Sequence, residues 1–300
     1  MTVTTATRRT DYIEAADGTQ LFCRHAGNPG STPPVLLLHG NRDNHSHYTE
    51  VQELLQDHWH TAALDFRGHG LSSTLDRTPT PELLAGDVHE VAGHYGWERL
   101  VLVGHSLGSA TAMTFADRWP ERVAALVLMG TAATFRLPFR RPEIPVTRET
   151  FAAFVREANV RARPVFFHER HPETARRVCA AWSSVPFEVH RRLIGMKHPD
   201  LRDLVRRLTV PTLLVAGEHD RCTPPEQAKW IHENHKDAEL AVIADTAHFM
   251  YVDDAPAVAA AIDTFLTKRG LGWGWADNAS DGGLKSCSSQ VQDLTNKVPG

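Results

Sequence analysis

One serine in the sequence has neighbours that suit a nucleophile. Ser106 is the central residue of GHSLG, which runs from Gly104 to Gly108 and fits the pattern G-x-S-x-G. An apolar run, Arg99–Ser106, leads into it, and a segment with helical spacing follows it. A serine on such a strand-to-helix turn needs a strained backbone, and glycines on both sides leave room for that backbone. The pattern in this setting predicts a nucleophile, whereas without the setting it could be a chance match or a tight turn.

A serine hydroxyl needs a base to accept its proton and an acid to orient that base. The apolar run Pro211–Asp220 ends in GEHD, which places Glu218 and Asp220 at the carboxyl edge of a parallel sheet, where such folds collect their sites. We favour Asp220 because the loop RCTPP follows it, although either carboxylate could instead cap the next helix or face solvent. His248 follows the last apolar run. The chain order Ser106, Asp220, His248 therefore predicts a catalytic triad, against the alternative that His248 is a solvated loop residue.

Short apolar runs of strand length recur along the chain, the pattern of strands buried on both faces of a parallel sheet. They are Pro33–Gly40, His60–Phe66, Arg99–Ser106, Arg122–Gly130, Pro211–Asp220 and Ala238–Asp245. Segments with helical spacing alternate with them, and three of these segments have a proline at or near the start. They are Pro81–Tyr95, Ser106–Trp119, Pro225–His235 and Ala255–Arg269. Alternating strands and helices predict an α/β fold with a mostly parallel, doubly wound sheet.

Three segments of the chain depart from the alternation of strands and helices: one before it, one within it and one after it. Asp11–Ala26 reads as two strands joined by an Asp-Gly turn. Residues 131–207 contain helical stretches but no buried strand, which predicts a helical cap inserted after the sixth strand. The α/β core would then comprise residues 1–130 and 208–269. Residues 270–300 are rich in Gly, Ser, Asn and Asp without periodicity, so we expect a disordered tail there.

Five motifs in register make the chain resemble the α/β-hydrolase family, over about Tyr12 to Thr267. They are LLLHG at Leu36–Gly40, DFRGHG at Asp65–Gly70, GHSLG at Gly104–Gly108, VAGEHD at Val215–Asp220 and AHF at Ala247–Phe249. The resemblance implies a serine hydrolase whose acid and histidine follow the serine in the order found here. It also implies an oxyanion hole made by the backbone N–H groups of Asn41 and Leu107. His39 and the DFRGHG turn would mainly support that loop.

The nucleophile position narrows the choice among members of this family. Relatives that open epoxides or remove halide carry aspartate where this chain has Ser106, and epoxide-opening relatives place tyrosines in a cap that here has none. The resemblance leaves carboxylesterases and lactonases as the leading interpretation. Thioesterases, hydrolases of a carbon–carbon bond beside a ketone, cofactor-free haloperoxidases or perhydrolases, and a non-catalytic ligand-binding member stay open. The natural acyl group is not readable from the triad.

Large apolar side chains near the site could line a substrate pocket, although most of them could instead simply pack the cap onto the sheet. They are Phe166, Phe167, Trp182, Phe187, Met196 and Phe249. The cap is also locally basic, with fifteen arginines and one lysine against eight acidic residues. Solvated helix faces are the simpler explanation, and attraction of anionic substrates is the alternative.

Composition and charge exclude several other classes of protein. The content of 42% hydrophobic and 23% charged residues is that of an ordinary globular chain, and no apolar stretch is long enough to span a membrane. A net charge of -4 offers no basic surface for nucleic acid. The first residues lack the apolar region of a secretory signal, so we expect a cytoplasmic protein acting on a small molecule. The histidine-rich runs HSH and HERH lack HExxH spacing, so we expect no metal and no cofactor; the oligomeric state is not indicated.

Overall fold

The computed structural model describes residues 8–30, 33–73, 77–136, 140–196, 198–272 and 291–292. The strands are β1 (Arg9–Glu14), β2 (Gln20–Ala26), β3 (Val35–Leu38), β4 (Thr61–Leu64), β5 (Leu100–His105), β6 (Val123–Met129), β7 (Thr212–Gly217), β8 (Ala238–Ile243) and β9 (Val291–Gln292). The helices are α1 (Thr49–Leu55), α2 (Pro81–His94), α3 (Leu107–Arg118), α4 (Phe151–Phe166), α5 (Pro172–Ser184), α6 (Phe187–Ile194), α7 (Arg202–Arg207), α8 (Pro225–Asn234), α9 (Met250–Asp253) and α10 (Ala255–Lys268).

The strands form one sheet in the order β1-β2-β4-β3-β5-β6-β7-β8-β9. The pairs from β4 through β3 to β8 are parallel, and antiparallel pairing is confined to the entry hairpin, its contact with β4, and β9. This confirms the predicted α/β class, the mostly parallel doubly wound sheet and all six apolar runs. The unpredicted helix α1 begins after Tyr48 without a side-chain cap, so its start lacks the usual sequence signal.

Successive side chains of the central strands enter two separate cores, one on each face of the sheet. In β3, Leu36 and Leu38 pack with residues of α2, α3 and α8, whereas Val35 and Leu37 pack with residues of α1 and α10. All four side chains are fully buried. Because a strand covered on both faces has no polar side to present, its sequence reads as a continuous apolar run.

The chain between β6 and β7 contains α4, α5, α6 and α7, and its described part contains no strand. The last of these helices packs on the core rather than apart from it, since Leu204 and Val205 of α7 belong to the α2 and α3 side of the sheet. The predicted tail lies almost wholly outside the described residues, apart from Gly270–Gly272 and β9. No helix in the described ranges is long and apolar enough to cross a membrane.

Five buried histidines lack the solvent that would stabilise a charged ring. Burial lowers the pKa of His25, His60 and His190 to about 4, and that of His69 and His105 to about 3. Neighbouring positive charges lower these values further, including Arg9 beside the first two rings and Arg42 beside His190. The folded protein therefore keeps all five rings neutral well below the ordinary histidine pKa.

We predict that acid destabilises the fold between about pH 6.5 and pH 4. In this window the unfolded chain binds protons at these five histidines and the folded protein does not, so unfolding takes up protons. The free energy of unfolding then falls with decreasing pH, by at most about 1.4 kcal/mol per pH unit for each histidine. Urea unfolding at a series of pH values measures how the free energy of unfolding changes with pH. A free energy that is flat across the window would contradict the prediction.

Candidate active site

Ser106 occupies a sharp turn between β5 and α3. Its φ of 51° and ψ of -109° lie in a region that non-glycine residues rarely adopt and that costs on the order of 1–3 kcal/mol. A hydrogen bond of 2.9 Å from the Ser106 N–H to the Met129 carbonyl of β6 helps to hold this conformation. The side chain is half-buried, whereas its neighbours His105 and Leu107 are buried. The turn thus leaves the Ser106 side chain partly exposed between two buried neighbours.

Gly104 and Gly108 make this turn sterically possible. A Cβ atom on Gly104 would lie 2.3 Å from the Gly108 carbonyl oxygen, and one on Gly108 would lie 2.1 Å from the Leu38 carbonyl oxygen of β3. Both distances are far below van der Waals contact with a backbone atom that cannot move aside. The first turn of α3 therefore packs directly against the strand backbones, and only glycine fits at either position.

Asp220 and His248 lie together at the carboxyl ends of β7 and β8. His248 Nδ1 lies 2.8 Å from Asp220 Oδ2, and both side chains are buried. Asp220 also accepts hydrogen bonds from the N–H groups of Cys222 and Thr223 and from the Thr223 hydroxyl. Burial alone would raise the pKa of the Asp220 carboxyl, but the charge and hydrogen bond of His248 and the bonds from Thr223 hold it below its usual value. The acid is thus ionised and oriented toward the imidazole.

The other candidate acid, Glu218, does not approach the histidine. Its side chain is exposed, and its Oε2 accepts a hydrogen bond from the Asp245 N–H at 3.0 Å. The turns after β7 and β8 touch here, because a Cβ on Gly217 would lie only 2.2 Å from the Ala247 carbonyl oxygen. This close approach brings the Asp220 turn beside the His248 loop.

Buried polar side chains next to the candidate triad hold the His248 loop in place. His105 Nε2 donates to the His248 carbonyl at 2.9 Å, and the His105 ring is neutral because burial and the nearby His248 lower its pKa to about 3. The Tyr251 hydroxyl donates to Asp43 at 2.6 Å, and the Asp43 carboxylate also accepts from His47. Burial would raise the pKa of Asp43, but these partners hold it well below its usual value. These contacts link the loop after β3 to the histidine loop.

Ser106 and His248 line one cavity of about 270 Å³. The predicted oxyanion positions, Asn41 and Leu107, line the same cavity. Leu107 is the first residue of α3, so its N–H is one of those that a helix leaves without an intrahelical acceptor. The cavity therefore brings together the candidate nucleophile, the candidate base and the two positions predicted to form an oxyanion hole.

The predicted pocket residues divide into two groups. Phe166, Trp182 and Phe249 line the cavity. The other three are not among its lining residues: Phe167 stacks on Phe249 from outside, Phe187 packs on Phe151, and Met196 is buried in the core on the α2 and α3 side. The lining also includes Arg42, Arg141, Phe154 and His190, which the sequence analysis did not identify. For Arg42 a signal existed, since it directly follows the predicted oxyanion residue Asn41.

The histidine-rich motifs lie outside this cavity and have other partners. His45 Nδ1 lies 2.7 Å from Asp65, His47 pairs with Asp43, and His168 stacks on His219. Asp65 also accepts from the Leu71 N–H at 2.8 Å, which ties the turn after β4 together.

The sheet order, the strained turn after β5 and the residues collected at the carboxyl edge together define the class of α/β enzymes with a nucleophile elbow. A sequence model of the alpha/beta hydrolase fold family matches residues 33–255, and the chain belongs to this family.

Several similar proteins are hydrolases. The chain is 27% identical over 282 residues to a proline iminopeptidase of Pestalotiopsis fici, an alignment that covers 86% of this chain and 99% of that protein. A thermophilic esterase from Thermogutta terrifontis, solved with malate bound, superposes with a TM-score of 0.76 at 28% identity, over 88% of this chain and 99% of that one. An enol-lactonase from Burkholderia xenovorans superposes with a TM-score of 0.75 at 25% identity, over 86% of this chain and 100% of that one.

We predict opposite effects of adding one methyl group at two helical glycines. Gly108→Ala forces Cβ against the Leu38 carbonyl and is expected to lower the free energy of unfolding by about 2–3 kcal/mol or more through overpacking. Gly86→Ala, in α2, meets no atom within 4 Å and is expected to raise it by about 0.5–1 kcal/mol. Urea unfolding of the two variants measures both effects. A Gly108→Ala protein as stable as the wild type would show that the elbow has more room than the geometry implies.

Proposed function

We propose that the protein is a serine hydrolase that cleaves a carboxylic ester or lactone through an acyl-enzyme. Ser106 acts as nucleophile, His248 as general base and then general acid, and Asp220 as the residue that orients His248. The observation that carries the proposal is the buried hydrogen bond of 2.8 Å between His248 Nδ1 and Asp220, with His248 and Ser106 lining one cavity.

The protonation state of the imidazole gives the direction of the first proton transfer. Because ionised Asp220 accepts a hydrogen bond from Nδ1, the proton of neutral His248 resides on Nδ1 and Nε2 is left as the base. Nε2 takes the proton of Ser106 as Oγ attacks the acyl carbon. The imidazolium that forms is stabilised by the adjacent carboxylate, which is already charged and needs no rearrangement.

Two backbone N–H groups complete the acylation step. The carbonyl oxygen becomes an oxyanion as Oγ adds, and the N–H groups of Asn41 and Leu107 are proposed to donate to it. When the intermediate collapses, His248 returns its proton to the departing alcohol oxygen, and the acyl group stays on Ser106. Water activated by His248 then hydrolyses the acyl-enzyme and restores the free serine. The scheme requires no cofactor.

The charge of the cavity favours an ester or lactone over a peptide with a free amino terminus. Such a peptide carries a cation close to its first peptide bond, which an acidic side chain would have to match. The described residues that line the cavity include Arg42 and Arg141 and no aspartate or glutamate. The esterase and the enol-lactonase that superpose on this chain support the same choice.

Ser106→Ala is expected to remove nearly all turnover of p-nitrophenyl acetate or butyrate, a loss on the order of 10⁴ or more. The matched control is Ser184→Ala, which changes an exposed serine of α5 whose hydroxyl donates to the Ala181 carbonyl. A fluorophosphonate probe should label the wild type and the control at Ser106 and leave Ser106→Ala unlabelled. Undiminished turnover by Ser106→Ala would overturn the assignment, and a folded wild type that neither labels nor turns over esters would favour a ligand-binding protein.

Asp220→Asn is expected to lower kcat by about 10⁴, because an amide in place of the carboxylate stabilises the wrong histidine tautomer. Glu218→Gln provides the matched control, since it makes the same chemical change two residues away on an exposed side chain. Initial rates on p-nitrophenyl butyrate, with thermal unfolding to verify the fold, compare the two. Equal losses in both variants, or loss only in Glu218→Gln, would contradict the choice of acid.

A further inference from the structure

Arg42 brings a positive charge into the candidate active site. It follows Asn41 in the loop after β3, with a φ of 63° that turns the chain sharply between Asn41 and the buried Asp43. Its guanidinium carbon lies 4.6 Å from the centroid of the Trp182 ring, within the range of a cation–π contact. Arg42 and Trp182 both line the cavity that holds Ser106.

The Arg42 guanidinium has no hydrogen-bond acceptor and no ion-pair partner among the described residues. The carboxylate next to it in sequence, Asp43, is engaged by His47 and Tyr251 instead. Burial lowers the pKa of Arg42 to about 10, so the side chain is still charged at neutral pH. Arg42 is half-buried, and a cation partly removed from water without a partner is costly, so a partner supplied by a ligand would be favourable.

Other polar atoms in the same lining are also without partners. Trp182 Nε1 and His190 Nδ1 are buried and make no hydrogen bond within the described residues. An indole N–H can only donate, and a guanidinium can only donate. Buried polar groups are nearly always satisfied, so a ligand rich in acceptor atoms would complete this set.

No acidic side chain among the described lining residues offsets the charge of Arg42. Arg141 adds a second guanidinium, one that is exposed and donates to the Ile194 carbonyl at 2.9 Å. Burial, together with the charges of the two arginines, lowers the pKa of His190 to about 4, which keeps its ring neutral. The cavity therefore has net positive charge, and its apolar walls, formed by Phe154, Phe166 and Leu193, strengthen that field.

Resting on the proposed ester or lactone hydrolysis, we propose that the substrate carries a carboxylate separate from the scissile bond and that Arg42 binds it. Trp182 supports the guanidinium from its ring face. A guanidinium fork matches the two oxygens of a carboxylate and can hold them with two parallel hydrogen bonds. A cavity of about 270 Å³ suits a small acid, such as the hemiester of a short dicarboxylic acid or a lactone with a pendant carboxylate.

A matched pair of substrates tests this inference directly. Monomethyl glutarate and methyl glutaramate present the same methyl ester and the same chain, and differ only in a carboxylate against a neutral amide. We expect the kcat/KM of the wild type to be at least tenfold higher for monomethyl glutarate than for methyl glutaramate. Hydrolysis of both esters is measured by the release of protons at constant pH. A preference for the amide, or equal rates, would overturn the inference while leaving the hydrolase proposal intact.

Variants of Arg42 then locate the preference. In Arg42→Gln the carboxylate-to-amide ratio of kcat/KM should fall at least tenfold, and Arg42→Lys should keep part of it as a single point charge. The control is Arg176→Gln, an exposed arginine of α5 paired with Glu173, which should leave the ratio unchanged. A ratio that falls equally in Arg176→Gln would assign the preference to the general charge of the helical segment rather than to Arg42. A ratio unchanged in both Arg42 variants would overturn the role of this residue.

Binding separates this inference from the proposed catalysis. In titration calorimetry of Ser106→Ala, monomethyl glutarate should give a measurable heat of binding and methyl glutaramate should give none. Affinity for the carboxylate should drop at least tenfold when Arg42→Gln is added. If the wild type turns over neither ester but this difference in binding is found, the hydrolase proposal fails and the carboxylate site stands. If neither compound binds and neither is turned over, both fail.

Discussion

The close approach of α3 to the strand backbones beneath it is the constraint on which the site depends. At Gly104 and Gly108 the helix start lies so near β3 and β5 that no Cβ fits. The contact positions the first helical N–H groups over the sheet edge and forces Ser106 into a φ of 51°. Strain of this kind persists only when its surroundings over-determine it. Here α2 and α7, which pack against α3, and the parallel sheet supply that support.

A glycine also allows a close backbone approach at the neighbouring strand ends, where Asp220 and His248 lie. Gly217 lets the turn after β7 touch the loop after β8, so Asp220 and His248 meet although 28 residues separate them. Neither loop is held by this contact alone. The His248 N–H donates to the Phe166 carbonyl at the end of α4, and its carbonyl accepts from His105. The imidazole is therefore fixed between the sheet and a helix of residues 131–207.

The sheet and the meeting of Asp220 with His248 could be predicted because their signals are local in sequence. A strand covered on both faces must be apolar throughout, and a residue just after such a strand must lie at the sheet edge. The lining of the cavity has no comparable signal. Phe166 and Phe167 are adjacent and chemically identical, yet only Phe166 lines the cavity, because Phe166 is the last helical residue of α4 whereas the backbone of Phe167 is extended. The position of Arg42 after Asn41 places it near the site, but this position does not indicate that its side chain lines the cavity.

The basic character of residues 131–207 is largely a property of the protein surface. Most of the arginines there are exposed and lie within ion-pair distance of carboxylates, as Arg161 does with Glu157 and Arg206 with Asp203. Such pairs are screened by salt and contribute little to a field at the nucleophile. Arg42 comes from the core loop instead; it is half-buried in the cavity lining and has no ion-pair partner among the described residues. One charge in a low-dielectric cavity has a stronger effect on a bound anion than several neutralised charges in water. The number of arginines in residues 131–207 is therefore a poor guide to any preference for an anion.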